Sequence, residues 1–153
     1  MHVVVTTDGS RQSLAAAKAF KSFTDPTKIT EISVVAVIRP LAAVSFADDL
    51  SEADQPTATL EELSFRVPAE RAAAVIAGIF DGWGPAVRTR IRSGSPANEI
   101  LKLAKEVDAG LVVVASGNRG ISDTVLMGST AQRVQSYAQC PVLVVREPKH
   151  RRG

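Results

Sequence analysis

The segment Leu111-Val-Val-Val-Ala-Ser-Gly-Asn-Arg-Gly120 joins an apolar block to a glycine turn, and Gly128-Ser-Thr130 follows after seven intervening residues. The block of Leu and Val predicts a buried strand, and the second glycine motif opens a helical pattern. Glycines let the backbone approach a phosphate closely, and the first N–H groups of a helix attract anions. The same glycines also suit any tight turn between a strand and a helix, so both interpretations stay open at this point.

Four further apolar blocks lie on either side of this segment. Their compact sequences, rich in Val and Ile, predict strands at Val3–Val5, Ile32–Ile38, Val87–Ile91 and Val142–Val145. Most are nearly continuous apolar runs, as in parallel strands that are covered on both faces. Val87–Ile91 alternates between apolar and polar residues instead, which predicts an edge strand with one wet face.

Helical periodicity separates these blocks. Ala16, Phe20 and Phe23 follow one another at steps of four and three, which places them in one apolar stripe. Ser95-Pro96 combines a favourable N-cap with a proline at the first helical position. Strands that alternate with helices predict an α/β fold, an open parallel five-stranded sheet with helices on both faces. The predicted helices are Ser10–Phe23, Pro68–Phe80, Ile100–Val107 and Ser129–Ala138.

The segment 40–65 departs from this alternation. It contains six acidic residues and no lysine or arginine. Its first half predicts a long loop, whereas Thr59-Leu-Glu-Glu62 has the pattern of a capping box that starts a short helix. A variable acidic loop of this length is either a solvated connection or a lid or binding segment.

Charge and composition exclude several classes of protein. The 153 residues include 18 basic and 16 acidic side chains, but Lys149, Arg151 and Arg152 all lie in the last five positions. Without these three, 15 basic residues stand against 16 acidic ones, so the excess positive charge belongs to a tail at 148–153 that we expect to be disordered. We therefore expect no nucleic-acid partner. No apolar run approaches the roughly 18 residues of a membrane span, and no signal peptide is visible, which predicts a cytoplasmic protein with no membrane partner.

Histidine and cysteine are too few for several kinds of site. The single cysteine, Cys140, excludes an internal disulfide, and we expect it to behave as a small apolar residue. His2 and His150 lie at opposite ends of the chain, which argues against a zinc site and against a catalytic triad. No metal-ligating cluster is predicted. The sequence also lacks the GxxxxGK[ST] and GxGxxG phosphate-binding motifs.

Several motifs together resemble the universal stress proteins. Val3-Val-Val-Thr-Thr-Asp-Gly-Ser10 with Ser13 is similar to the opening of that family, and Cys140-Pro-Val-Leu-Val-Val145 is similar to its ending. Ser93-Gly-Ser-Pro96, the run Leu111–Gly120 and Gly128-Ser129 occur between them in the family's order. The resemblance implies a Rossmann-like fold of the adenine nucleotide alpha hydrolase type, with strand order 3-2-1-4-5 and a single domain over residues 1–147.

The resemblance also implies an ATP site, with Mg²⁺ as a companion of the nucleotide. Asp8 matches the family's acidic residue at the nucleoside end, and Val37 matches the position whose backbone meets adenine. The family pattern assigns the ribose and phosphates to Gly117, Asn118, Arg119 and Gly120, and the outer phosphates to Gly128 and Ser129. ATP-binding members typically have nine residues between the two glycine motifs, whereas this chain has seven.

Each of these residues also has a plainer structural interpretation. Asp8 or Ser10 is suited to cap the following helix, and Gly128-Ser129 to start one. Val37 belongs to the core in either case. Ser129 lacks the GxSxG surroundings of a nucleophile, so no catalytic residue is predicted. Trp83, between two glycines, has the character of a surface or edge anchor without an assigned role.

Two functions follow from these observations. The first is a regulatory protein of the stress response that binds ATP and hydrolyses it slowly or not at all. The alternative is a protein-interaction module of the same fold that binds no nucleotide, which the shortened loop and the acidic segment favour. In both cases the resemblance implies a homodimer formed through the last strand, Val142–Val145. A nucleotide-transferring enzyme is disfavoured because the HxGH-type signature is absent.

Overall fold

A computed structural model describes residues 1–39, 55–117 and 128–146. Within these ranges, five strands and four helices alternate. The strands are β1 (His2–Thr7), β2 (Glu31–Ile38), β3 (Ala86–Ser93), β4 (Ala109–Ala115) and β5 (Val142–Val145). The helices are α1 (Arg11–Phe23), α2 (Gln55–Ile79), α3 (Pro96–Glu106) and α4 (Ser129–Tyr137), and a short 3-10 turn spans Pro26–Lys28.

All five strands run parallel in the order β3-β2-β1-β4-β5, which confirms the predicted sheet. The central strand β1 pairs with β2 on one side and with β4 on the other, so that Val5 lies opposite both Val34 and Val113. Since β1 is followed by a connection to one side and β4 by a connection to the other, the chain changes direction between these two strands. That crevice is where ligands bind in sheets of this kind.

Helices cover both faces of the sheet, as the apolar runs predict. Val3 and Val5 face α1 and α2, where Phe20 and Ile76 complete one core. Val4 faces the opposite side, where α3 and α4 contribute the second core. The side chains of residues 3–5 are fully buried, because one strand supplies both cores with alternate residues.

The two outer strands differ in their exposure. In β3, Val87 and Ile91 pack on the core beside α1 and α2, while the intervening arginines point to the opposite face. Arg92 there forms a two-bonded ion pair with Glu106, whose pKa is lowered mainly by these hydrogen bonds. The predicted edge strand with one polar face is thus confirmed.

The long helix α2 contradicts the predicted boundaries. It begins at Gln55, so Pro68 lies inside it and Thr59 is not its cap. An interior proline costs a helix about 3 kcal/mol. Pro68 nevertheless does not mark the start of α2, because Ala73 and Ile76, which follow it, are anchored in the core. Pro68 itself lies on the exposed side of α2. The part of the acidic loop at 40–54 and the tail at 148–153 lie outside the described residues.

Two aromatic residues also differ from expectation. Phe23 ends α1 with 65% of its surface exposed, so it does not extend the buried stripe of Ala16 and Phe20. Trp83 is half-buried and packs against the rings of Phe20 and Phe80, with centroids 6.0 and 5.6 Å away. It belongs to the border of the core, because the turn after α2 folds back over the amino end of the sheet.

No helix in the described ranges is both long enough and apolar enough to cross a membrane.

The two phenylalanines of α1 provide a direct test of this core. We expect Phe20→Ala to lower the free energy of unfolding by about 3–5 kcal/mol, because it leaves a cavity beneath Phe80 and Trp83. Phe23→Ala, three residues further along the same helix, is the matched control and should change it by less than about 0.5 kcal/mol. Urea unfolding followed by the fluorescence of Trp83 measures both. Equal effects of the two substitutions would contradict the described position of α1.

Candidate functional site

A cavity of about 290 Å³ opens at the carboxyl ends of β1 and β4, in the crevice where the chain changes direction. Its walls come from the turn after β1, the end of β2, the start of α3 and the start of α4. Sequence-distant residues therefore meet at one point of the sheet. The lining residues discussed below include Thr7, Asp8, Ser10, Ser13, Val37, Arg39, Pro96, Ile100, Gly117, Gly128 and Thr130.

The turn between β1 and α1 is held by hydroxyl groups. The Gly9 N–H donates to Thr7 Oγ1 at 3.1 Å, and the Thr7 hydroxyl lies 2.8 Å from Ser13 Oγ. Ser13 Oγ in turn donates to the Ser10 carbonyl at 2.8 Å, so Thr7 is the donor to Ser13. Thr7 and Ser13 are both buried. This chain of hydrogen bonds holds the turn in place where Thr7 and Ser13 line the cavity.

Asp8 and Ser10 have separate roles in this turn. Ser10 is the N-cap of α1, since its Oγ accepts the Ser13 N–H at 3.2 Å. Asp8 Oδ1 accepts the Ser10 N–H at 2.9 Å, which closes a local turn before the helix. Of the two capping candidates, Ser10 is therefore the cap. Asp8 is exposed and lines the cavity.

The two glycine motifs meet across the cavity floor. Gly117 has a φ of +100°, and a Cβ atom on it would lie 2.8 Å from the Gly128 Cα. A Cβ on Gly128 would lie 3.1 Å from both Gly117 Cα and the Ser116 carbonyl oxygen. The Gly128 N–H also donates to the Ser116 carbonyl. Gly117 and Gly128 are thus in direct backbone contact, which requires glycine at position 117 and leaves little room for a side chain at position 128.

None of the described side chains caps the start of α4. Gly128 is its N-cap residue and has no side chain to accept from the first turn. The first N–H groups of a helix need partners, and at an uncapped terminus they are available to an anion. Thr130 and Ala131 of this first turn line the cavity, whereas Ser129 is exposed and is not among the lining residues.

The opposite wall of the cavity is apolar. Val37, at the end of β2, faces Pro96 and Ile100 at the start of α3. Val37 is partly buried against the core that includes Ile100. These side chains form a surface suited to a flat apolar ring.

The predicted site residues are only partly gathered in this cavity. Asp8, Val37, Gly117 and Gly128 line it, and Ser129 lies beside it. Asn118, Arg119 and Gly120 lie outside the described residues. Sequence reasoning did not select Thr130, Ser10 or Arg39 as site residues, although all three line the cavity. Each of them lies at the end of a strand or at the start of a helix, and this position is the sequence signal that could have identified them.

The described residues contain no group of three or more His, Cys, Asp or Glu side chains that would hold a metal ion. Mg²⁺ commonly binds through substrate phosphates and retained waters with one or two carboxylates. Such an ion does not need a preformed cluster of protein ligands.

A family model for the universal stress protein family matches residues 1–146. The chain is also 30% identical over 148 residues to a universal stress protein of Methanocaldococcus jannaschii, an alignment covering 96% of this chain and 82% of that protein. The chain belongs to the universal stress protein family. The fold is similar to that of UspA from Lactobacillus plantarum, with a TM-score of 0.77 and 21% identity over 95% of this chain and 97% of that one.

Two solved structures of similar fold contain adenine nucleotides. One is a universal stress protein in complex with cAMP, with a TM-score of 0.63 and 23% identity, covering 95% of this chain and 96% of that one. The other is a family protein from Arabidopsis thaliana with AMP bound, with a TM-score of 0.64 and 14% identity, covering 97% and 93%.

Alanine substitutions at the glycines test the backbone contact. We expect Gly117→Ala to lower the free energy of unfolding more than Gly128→Ala. Of these two glycines, Gly117 has the positive φ, and an alanine held in that conformation costs about 1–3 kcal/mol. Gly78→Ala is the control, because its Cβ meets nothing within 4 Å and α2 should gain about 0.5–1 kcal/mol. Thermal and urea unfolding measure all three. Stability unchanged in both loop variants would contradict the contact.

Proposed function

We propose that this protein binds an adenine nucleotide, with ATP and its Mg²⁺ as the preferred form, in the cavity between β1 and β4. The observation that carries the proposal is the pairing of Gly117 with Gly128 beside the uncapped start of α4. Because neither glycine carries a side chain, phosphate oxygens can approach the backbone at this point. The first N–H groups and the dipole of α4 favour negative charge there. The nucleotides named for two proteins of similar fold support the same ligand class.

The chemistry of the cavity suggests an orientation for the nucleotide. The apolar wall at Val37, Pro96 and Ile100 suits adenine, and the glycine floor at Gly117 and Gly128 suits the phosphates. The ribose then lies between them, next to Asp8, whose carboxylate oxygens accept hydrogen bonds from hydroxyl groups. Thr130 is positioned in the first turn of α4 to add a hydroxyl donor to the phosphate end. We assign the role first expected of Ser129 to Thr130.

The bound nucleotide would act chiefly as a signal. Among the described lining residues, Asp8 is the sole carboxylate and no histidine is present. Asp8 belongs to the ribose end in the proposed orientation, away from the terminal phosphate. Without a base near that phosphate, hydrolysis should be slow at most. A role in the stress response follows from family membership and is part of the proposal.

Three substitutions separate the parts of the proposed site. We expect Asp8→Asn to weaken ATP binding about tenfold, since it keeps the acceptor for the Ser10 N–H but removes the charge that strengthens hydrogen bonds from the ribose. Thr130→Ala should weaken binding about three- to tenfold, whereas Ser129→Ala, its immediate neighbour, should have little effect. Isothermal titration calorimetry with ATP and Mg²⁺ measures the dissociation constants.

Binding that is unchanged in Asp8→Asn and in Thr130→Ala would refute the proposed orientation. No heat of binding and no thermal shift of the wild type with millimolar ATP and Mg²⁺ would refute nucleotide binding altogether. That second result would favour the protein-interaction module without nucleotide.

We also propose that two copies associate through β5. This strand ends the sheet, and its four apolar side chains remain half-buried in the single chain. The carbonyls of Pro141 and Val145 accept from the N–H groups of Val112 in β4 and of Ser116 directly after it, at 3.0 and 2.9 Å. Because backbone groups alternate along a strand, Val142 and Val144 direct theirs to the open edge. An apolar edge with unpaired backbone groups favours pairing with a second copy.

Proline at the open edge tests this association. Val144→Pro removes an outward N–H without removing a donor to β4, so we expect it to shift the protein from dimer to monomer. Val144→Thr keeps the N–H and the branched shape, and should remain dimeric. Analytical ultracentrifugation at tens of micromolar gives the state of each. A wild-type monomer at that concentration would contradict the proposal.

A further inference from the structure

The turn Asp8-Gly9-Ser10 borders more than the nucleotide cavity. On its other side a groove of about 510 Å³ lies between α1 and α2, which we call the α1–α2 groove. Leu14 and Val75 form its apolar walls, and Arg11 and Arg71 stand on its two sides. Asp8 and Ser10 line both the nucleotide cavity and this groove, so the two spaces are separated by a single turn of backbone.

Helix α2 contacts the turn Asp8-Gly9-Ser10 next to Arg71. A Cβ atom on Gly9 would lie 3.8 Å from the Cβ of Ala72, an ordinary van der Waals distance. Arg71 precedes Ala72 in α2, and Arg11 is the first residue of α1 directly after the Ser10 cap. The sequence places two guanidinium groups on helices that meet at Gly9, whose φ of +82° bends the chain at that point.

The groove carries net positive charge. Its described lining contains two arginines and one carboxylate, that of Asp8. Asp8 Oδ1 already accepts the Ser10 N–H. Within residues 1–39, 65–117 and 128–146, no carboxylate oxygen lies within 4.0 Å of the Arg11 or Arg71 guanidinium. Arginine is well suited to bind phosphate, because its planar group donates two parallel hydrogen bonds.

We propose that the α1–α2 groove binds a phosphate carried on the ribose of the nucleotide, so that the ligand class is adenine nucleotides phosphorylated at the 2′ or 3′ position as well as at the 5′ position. This rests on the proposed function, which places the ribose beside Asp8. A substituent on a ribose hydroxyl there leaves the cavity across the Asp8 turn and enters the groove. Arg11 and Arg71 offset the repulsion between that phosphate and the Asp8 carboxylate.

Ligands that differ by one phosphate test this assignment. We expect adenosine 3′,5′-bisphosphate or adenosine 2′,5′-bisphosphate to bind the wild type about five- to tenfold more tightly than AMP. Arg71→Gln and Arg11→Gln should each reduce the affinity for that bisphosphate toward the affinity for AMP, and leave AMP binding unchanged, since neither arginine lines the nucleotide cavity. Calorimetry at fixed ionic strength gives all the dissociation constants.

Lys18→Gln is the matched control. It removes the same charge from the same side of α1, two turns or roughly 10 Å beyond Arg11, and Lys18 does not line the groove. We expect it to change neither affinity. An equal loss in Lys18→Gln and Arg71→Gln would show general charge attraction and overturn the groove assignment.

Two further results distinguish this inference from the function on which it rests. Tight binding of AMP or ATP without a preference for either bisphosphate overturns the groove assignment and leaves the proposed function intact. Failure of AMP, ATP and both bisphosphates to bind overturns both.

Discussion

Burial of β1 on all sides is the constraint from which the rest of the structure follows. Val3, Val4 and Val5 are fully buried, because helices cover both faces of this strand and neighbouring strands pair with both of its edges. At Thr7 the chain must leave this enclosed position, and it does so through a turn held by buried hydroxyl groups. The neighbouring strand β4 leaves to the other face, and the space between the two departures is the cavity.

The cavity offers mainly backbone groups to a ligand at its glycine end. Gly117 and Gly128 approach each other so closely that a side chain is excluded at position 117 and crowded at position 128, and none of the described side chains caps the start of α4. Sites of this type suit phosphate, since N–H groups and the helix dipole provide directed positive charge without a large desolvation cost. The scarcity of histidine and cysteine in the chain agrees with such a site. Among the described lining residues, Asp8 is the acidic one.

Charge at the carboxyl edge of the sheet comes from several elements. Arg39 follows β2, Arg11 begins α1 and Arg71 lies in α2, and all three border the spaces that meet at the Asp8 turn. These arginines are far apart in sequence, so no motif connects them. Only the packing of α2 against Gly9 brings Arg71 to this edge. A family pattern centred on glycines does not record such residues, although the proposed phosphate groove depends on two of them.

The sequence patterns predicted the parallel sheet, its polar edge strand and the family, because apolar blocks and glycine motifs are local patterns. The order of the strands followed from the resemblance to that family. The same resemblance selected Asp8, Val37, Gly117 and Gly128, which the structure places in the lining of one cavity. Tertiary structure alone decided that α2 extends through Pro68, that Phe23 is exposed and that Trp83 borders the core. These outcomes depend on contacts between distant segments, where packing outweighs local preference. The same holds for the close contact of the two glycines, which neither motif predicts alone.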